Sequence, residues 1–189
     1  MPPPPKENTS IEDVIKNIIA LNDEIRSFWI QAEGWAPNNA ADLLSISKLD
    51  WQVSLSNCLN IWAEYRDNDD CGSLILAWTN LGSLVEGTLK LFLCVYYDEY
   101  RSDPEAFYER NNTRLKEPEV LELDKLRQFF AKKEIIDERW NDWILYIQQR
   151  RNAIHAYKNR DIGNWIEFYL DVRNYYEFLQ LMNNNLPYP

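Results

Sequence analysis

The chain has 189 residues, enough for one well-buried domain and too few for two comfortable ones. Hydrophobic residues make up 46% of it and only 5 are glycine, which suits a compact helical protein, while eight tryptophans and eleven tyrosines imply a large aromatic core or interface. Lys and Arg total 20 against 30 Asp and Glu, so the net charge is −10, non-specific attraction to nucleic-acid backbones is poor, and any anion site must rest on a local basic patch.

The opening MPPPPKENTS has no apolar core for a secretory signal, and its prolines predict an extended, disordered tail over residues 1–9. Residues 10–189 then read as a single domain. A first helix should begin after Thr9 or Ser10, with Glu12 and Asp13 in its first turn and Ile11, Val14, Ile15, Ile18, Ile25 and Phe28 at helical spacing until Gly34. A second runs from about Ala40 to Tyr65, with Leu43, Leu44, Ile46, Leu49, Val53, Leu55, Leu59 and Trp62 on its apolar side. Asp67-Asn68-Asp69-Asp70 ends it. Asp67, Asp69 and Gly72 look like part of an EF-hand, but Cys71 occupies a ligand position and Trp78 stands where the bidentate glutamate belongs, so the stretch reads as a solvated loop.

A third helix, about Ser73–Tyr97, is the most apolar of all. Asn80, Glu86 and Lys90 interrupt it, which makes it a central bundle helix and not a membrane span. Residues 100–118 form a long irregular connection; its Asn111-Asn112-Thr113 sequon has no meaning in a cytosolic protein. Leu121, Leu123, Leu126, Phe129 and Phe130 mark a shorter helix ending in Lys132-Lys133. Another begins near Asp137, and a last follows Gly163 until Pro187. No strand-like alternation, glycine-rich phosphate loop or repeat appears, so the expectation is an all-α bundle of five or six helices.

The helix from Asp137 is read through to Tyr157 and carries Arg150-Arg151-Asn152-Ala153-Ile154-His155-Ala156-Tyr157, with the protein's only histidine. On a continuous helix Trp140, Trp143, Ile144, Ile147, Ile154 and Tyr157 share one broad arc to be buried, and Arg150 and Arg151 fall inside it. Unpaired guanidiniums sealed there would cost several kcal/mol each, so something polar must meet them; Glu86 is the acid nominated, unless it only pairs with Lys90 at i, i+4. Arg151 and His155, also i, i+4, should be neighbours, with Asn152 close by. A guanidinium to hold a phosphodiester, an imidazole to move a proton and an amide to orient them could drive a ribose 2′-hydroxyl onto its own phosphate, without a metal or cofactor. Lys158 and Arg160 would supply the basic patch, with Lys132 and Lys133 as further candidates for it. The plainer alternative is that the arginines pair with acids and His155 is structural.

The string RRNAIHAY resembles the signature of the HEPN superfamily, all-helical domains in which a histidine follows an arginine after four to six intervening residues. Arg150 and His155 fit that spacing, Tyr157 matches the His-x-Tyr extension of a subset, and Arg151 and Asn152 fit the polar neighbourhood in a shifted register. The resemblance also covers the helix order from about Ser45 to Leu186. It implies a HEPN-like up-and-down bundle, a homodimer with both motif helices in one cleft, and metal-independent cleavage of RNA by Arg150, Arg151, Asn152 and His155, with Lys158 and Arg160 on the substrate and Glu86 in support. It further implies a toxin–antitoxin or phage-defence setting, in which a nucleotidyltransferase antitoxin would modify Tyr157. A non-cleaving HEPN-like module that binds a nucleotide or protein is the rival.

Other chemistries fall away. One histidine cannot make a His-rich metal centre, and no G-x-S-x-G exists for a serine hydrolase. Cys58, Cys71 and Cys94 show no C-x-x-C spacing; a cysteine nucleophile with His155 stays open in principle, but all three lie on or beside apolar segments and read first as core thiols of a reduced, cytoplasmic protein.

Overall fold

The computed structural model describes residues 9–64, 70–110 and 114–188. Residues 1–8 of the proline-rich tail, residues 65–69 of the acidic loop and the Asn111-Asn112-Thr113 sequon lie outside the described residues. Among the described residues the chain is all-α, with eight α-helices where five or six were expected. One isolated antiparallel bridge, Tyr108 to Leu115, crosses the long connection.

Helix α1 (Ile11–Trp29) starts where the capping signal places it, with the Asp13 amide donating to Ser10 Oγ at 3.1 Å. Its buried face is Val14, Ile15, Ile18, Leu21, Ile25 and Trp29, the i, i+3, i+4 stripe expected of an amphipathic helix. The predicted second helix is two: α2 (Asn38–Ile46) and α3 (Leu49–Ala63). The break at Ser47 has a local cause. Ser45 and Ser47 turn their hydroxyls back onto the carbonyls of Asp42 and Leu44, both at 2.7 Å, and Ser47 itself is extended at ψ 149°. Ile46, assigned to the buried side, is consequently exposed.

Helix α4 (Cys71–Val95) is the axis of the bundle, packed by α2, α3, α7 and α8 and, more lightly, by the short α5 (Tyr97–Ser102) and α6 (Leu123–Lys132). Leu74, Ala77, Trp78, Leu81, Leu84, Val85 and Leu89 are all buried along it. Asp70 caps it by accepting from the Gly72 amide at 3.0 Å. Helix α8 (Trp165–Asn184) closes the core against α1 and α4. No helix among the described residues is long and apolar enough to cross a membrane.

The helix that carries the motif, α7 (Glu138–Arg151), ends six residues earlier than its periodicity suggests. Asn152–His155 tighten into a 3₁₀ turn, and Ala156 at φ 54° is left-handed, which turns the chain aside. Trp140, Ile144 and Ile147 keep the predicted buried face, but the change of pitch throws Ile154 and Tyr157 off it. Both are exposed, Tyr157 completely at 103%, which corrects their assignment to the buried arc.

Candidate functional site

The two motif arginines leave α7 in different directions. Arg150 turns inward. Its guanidinium lies 4.8 Å from the Tyr146 ring centre and 5.6 Å from that of Trp78, and its two terminal nitrogens donate to Asp161 Oδ1 at 3.0 Å and Glu167 Oε2 at 2.7 Å. The side chain is only 6% exposed. Its stack, fork and two carboxylates answer the cost of burying a guanidinium on an aromatic face.

Those carboxylates are delivered by a folded loop. Asp161 also accepts from the Gly163 amide at 2.9 Å, an Asx turn, and Gly163 adopts φ +61°. A Cβ at Gly163 would collide with both Arg150 and Glu167. Asn164 caps α8, accepting from the Glu167 amide at 3.0 Å while its own amide donates to Glu167 Oε1 at 2.9 Å. Trp78 Nε1 ties the same loop to α4 by donating to the Ile162 carbonyl at 2.8 Å. Neither Asp161 nor Glu167 was foreseen, although Asp-x-Gly and Asn-x-x-Glu are legible as a turn and a cap.

Arg151 turns the other way, over Gly82 of α4. A Cβ on Gly82 would lie 2.6 Å from Arg151 Cδ, so only glycine lets the stem of the arginine rest on that helix. Its guanidinium donates to Glu86 Oε2, while Lys90 meets Glu86 Oε1 at 2.8 Å and also donates to the Glu119 carbonyl at 2.9 Å. Glu86 therefore does both things the sequence offered: it holds an arginine and pairs with Lys90. Burial pushes its carboxyl up, but the hydrogen bonds and charges of Lys90 and Arg151 outweigh that and hold it below its ordinary value.

Glu86, Lys90, Gln148, Arg151, Asn152 and His155 line one open crevice of about 380 Å³, bounded on its far side by Glu122 and the 3₁₀ turn Pro118–Val120. That volume lies within the range of small-molecule clefts, roughly 300–1,000 Å³. His155 is exposed, Arg151 and Asn152 half-buried. Gln148 Oε1 is buried there without a hydrogen-bond partner. Arg150 lines a second crevice of about 330 Å³ with Lys158, Arg160 and Asp161. The structure thus brings Arg151, Asn152, His155 and Glu86 together, and sets Arg150, Lys158 and Arg160 on the opposite flank of the loop that follows His155. Lys132 and Lys133 are engaged elsewhere, by Glu105 and Asp103, both at 2.6 Å.

Of the cysteines, Cys94 is buried, Cys58 half-buried and Cys71 exposed, so Cys71 is not a core thiol. Burial pushes the Cys94 thiol up to about 12, which keeps it protonated and inert as a nucleophile. Among the described residues no three His, Cys, Asp or Glu side chains gather in a way that could hold a metal ion. Comparison with known proteins gives no match to a family model, a curated protein or a solved structure.

Proposed function

We propose that this chain is a metal-independent endoribonuclease with a HEPN-like bundle, acting at the crevice of Arg151, Asn152 and His155. The observation that carries the reading is the meeting of a guanidinium, an amide and the sole imidazole in one solvent-open crevice. His155 would take the proton of a ribose 2′-hydroxyl as its oxygen attacks the adjacent phosphorus. The new P–O2′ bond replaces the P–O5′ bond, leaving a 2′,3′-cyclic phosphate, and the departing 5′-oxygen receives a proton from a second imidazole. A single chain offers one imidazole, so the scheme calls for a homodimer that sets two copies of His155 in one cleft. Arg151 would stabilise the charge that builds on the non-bridging oxygens, and Asn152 would orient the phosphate.

Arg150 has the motif spacing, yet its side chain is only 6% exposed against 28% for Arg151, which opens into the crevice of His155, so the role of phosphate ligand falls to Arg151. Lys158 and Arg160, which line the second crevice, would take flanking phosphates of the RNA strand. The fully exposed Tyr157 is open to modification, consistent with a cytoplasmic toxin or phage-defence nuclease restrained by a nucleotidyltransferase antitoxin.

The test is cleavage of mixed RNA by the purified protein in EDTA, with cyclic-phosphate ends, and its loss in His155→Ala. Cleavage that survives that substitution removes the mechanism. A second reading, a non-cleaving module for a nucleotide or protein ligand, is favoured by the carboxylates already on both guanidiniums in a chain of net charge −10. Nucleotide binding by calorimetry, with every RNA left intact, would select it.

A further inference from the structure

Two cations converge on one carboxylate in the crevice, and neither depends on that carboxylate for its place. The stem of Arg151 is seated on Gly82, and Lys90 is anchored by the Glu119 carbonyl at 2.9 Å. Glu86 divides its two oxygens between them, Oε1 to Lys90 and Oε2 to Arg151, as two oxygens of a phosphoryl group would be divided. His155 and Asn152 line the same space. Solvent reaches the two cations: the side chains of Arg151 and Lys90 are 28% and 25% exposed and that of Glu86 17%, against 6% for Arg150.

We propose that Glu86 is an internal stand-in for a phosphate, and that Lys90 and Arg151 form the oxyanion site which a substrate phosphoryl group takes over when Glu86 gives it up. The inference rests on the reading that this crevice receives RNA phosphate, and it adds Lys90 as a phosphate ligand and reverses the role of Glu86. Glu86 competes with substrate; it is not a support for the arginine. A carboxylate and a phosphate cannot share the two cations, so each must exclude the other. At rest Glu86 cancels one of the two positive charges, which suits an acidic protein with little general affinity for nucleic acid.

The test is binding, measured apart from cleavage. Inorganic phosphate is titrated by calorimetry, and a non-cleavable 2′-deoxy oligonucleotide by fluorescence anisotropy, into wild type, Glu86→Gln, Lys90→Ala and, as a charge-matched control, Glu33→Gln. Glu86→Gln should bind both probes roughly tenfold more tightly and Lys90→Ala roughly tenfold more weakly, the worth of one or two partly exposed ion pairs, with Glu33→Gln unchanged. Should Glu86→Gln not fold, Glu86→Asp, which keeps the charge but shortens its reach, should still tighten binding. Weaker or unchanged binding by the Glu86 variants, or no phosphate binding by any of the four at millimolar concentration, overturns the proposal. A wild type that binds in this order yet cleaves no RNA in EDTA sinks only the nuclease reading, whereas cleavage without the affinity gain sinks only the role given to Glu86.

Discussion

Arg150 lies against Trp78 and Tyr146 and faces the loop into α8, whereas Arg151, the next residue, lies over Gly82 and faces the crevice beside Pro118–Val120. Both guanidiniums meet carboxylates, so a list of ion pairs would not tell them apart. Burial does. The aromatic stack leaves the Arg150 side chain only 6% exposed, although its acids Asp161 and Glu167 face solvent, and removing that side chain would empty the slot between helix and loop and leave both acids without their partner. Arg151, 28% exposed, opens into the crevice, and its acid Glu86 keeps Lys90 as a second partner. Adjacent arginines thus face separate surroundings, one fastening a loop and the other opening into a crevice.

The contrast can be broken most sharply through activity. His155→Ala should reduce RNA cleavage by about 10²- to 10⁴-fold, the usual worth of a general acid–base group, with the melting temperature little changed; equal cleavage in the variant would detach the crevice from catalysis. Stability should show the reverse preference. Arg150→Ala should cost about 2 kcal/mol in denaturant unfolding, as expected when a buried side chain leaves its aromatic slot, while Arg151→Ala should cost less than about 1 kcal/mol, since Glu86 keeps Lys90. Similar losses for the two would erase the distinction.

Titration sharpens it further. Burial raises the Asp171 carboxyl above its ordinary 3.8, although Asn174 and Trp143 donate to it at 2.9 and 2.7 Å. A raised acid binds its proton more tightly folded than unfolded, so its contribution is greatest below 3.8 and declines as pH rises through its folded value. Glu86, held below its ordinary 4.5, contributes above that value and loses the contribution as pH falls through its lower folded value. Stability profiles of Asp171→Asn and Glu86→Gln across the acid range should therefore depart from wild type with opposite slopes. Parallel curves would mean that the two sites do not differ in solvation as described.

Much of this architecture is written locally. Ser10 and Asn164 announce their helices through caps that close within three residues, and the dense apolar run of α4 could belong only at the centre of the bundle. What resisted reading depends on competition or on distance. The serines that part α2 from α3 sit in good helical periodicity, and only their back-bonded hydroxyls betray the break. Periodicity likewise carried α7 past Arg151, because nothing in Asn152–His155 declares a change from 3.6 to about three residues per turn. Within the candidate site, the Arg151–Asn152–His155 neighbourhood survives that change because all three positions precede the reversal at Ala156. Glu86 was legible as an acid for one of the arginines, but not which one it meets, nor that Asp161 and Glu167 take the other, since these contacts form only once α4, α7 and α8 have packed.

Gly82 also sets a spacing. With a lone hydrogen atom there, the bundle axis and the motif helix approach until the arginine stem is their filler. Gly82→Ala would act as a wedge, pushing Arg151 off the axis and its charged tip away from Glu86. The crevice is thus calibrated from behind, by a residue that does not line it.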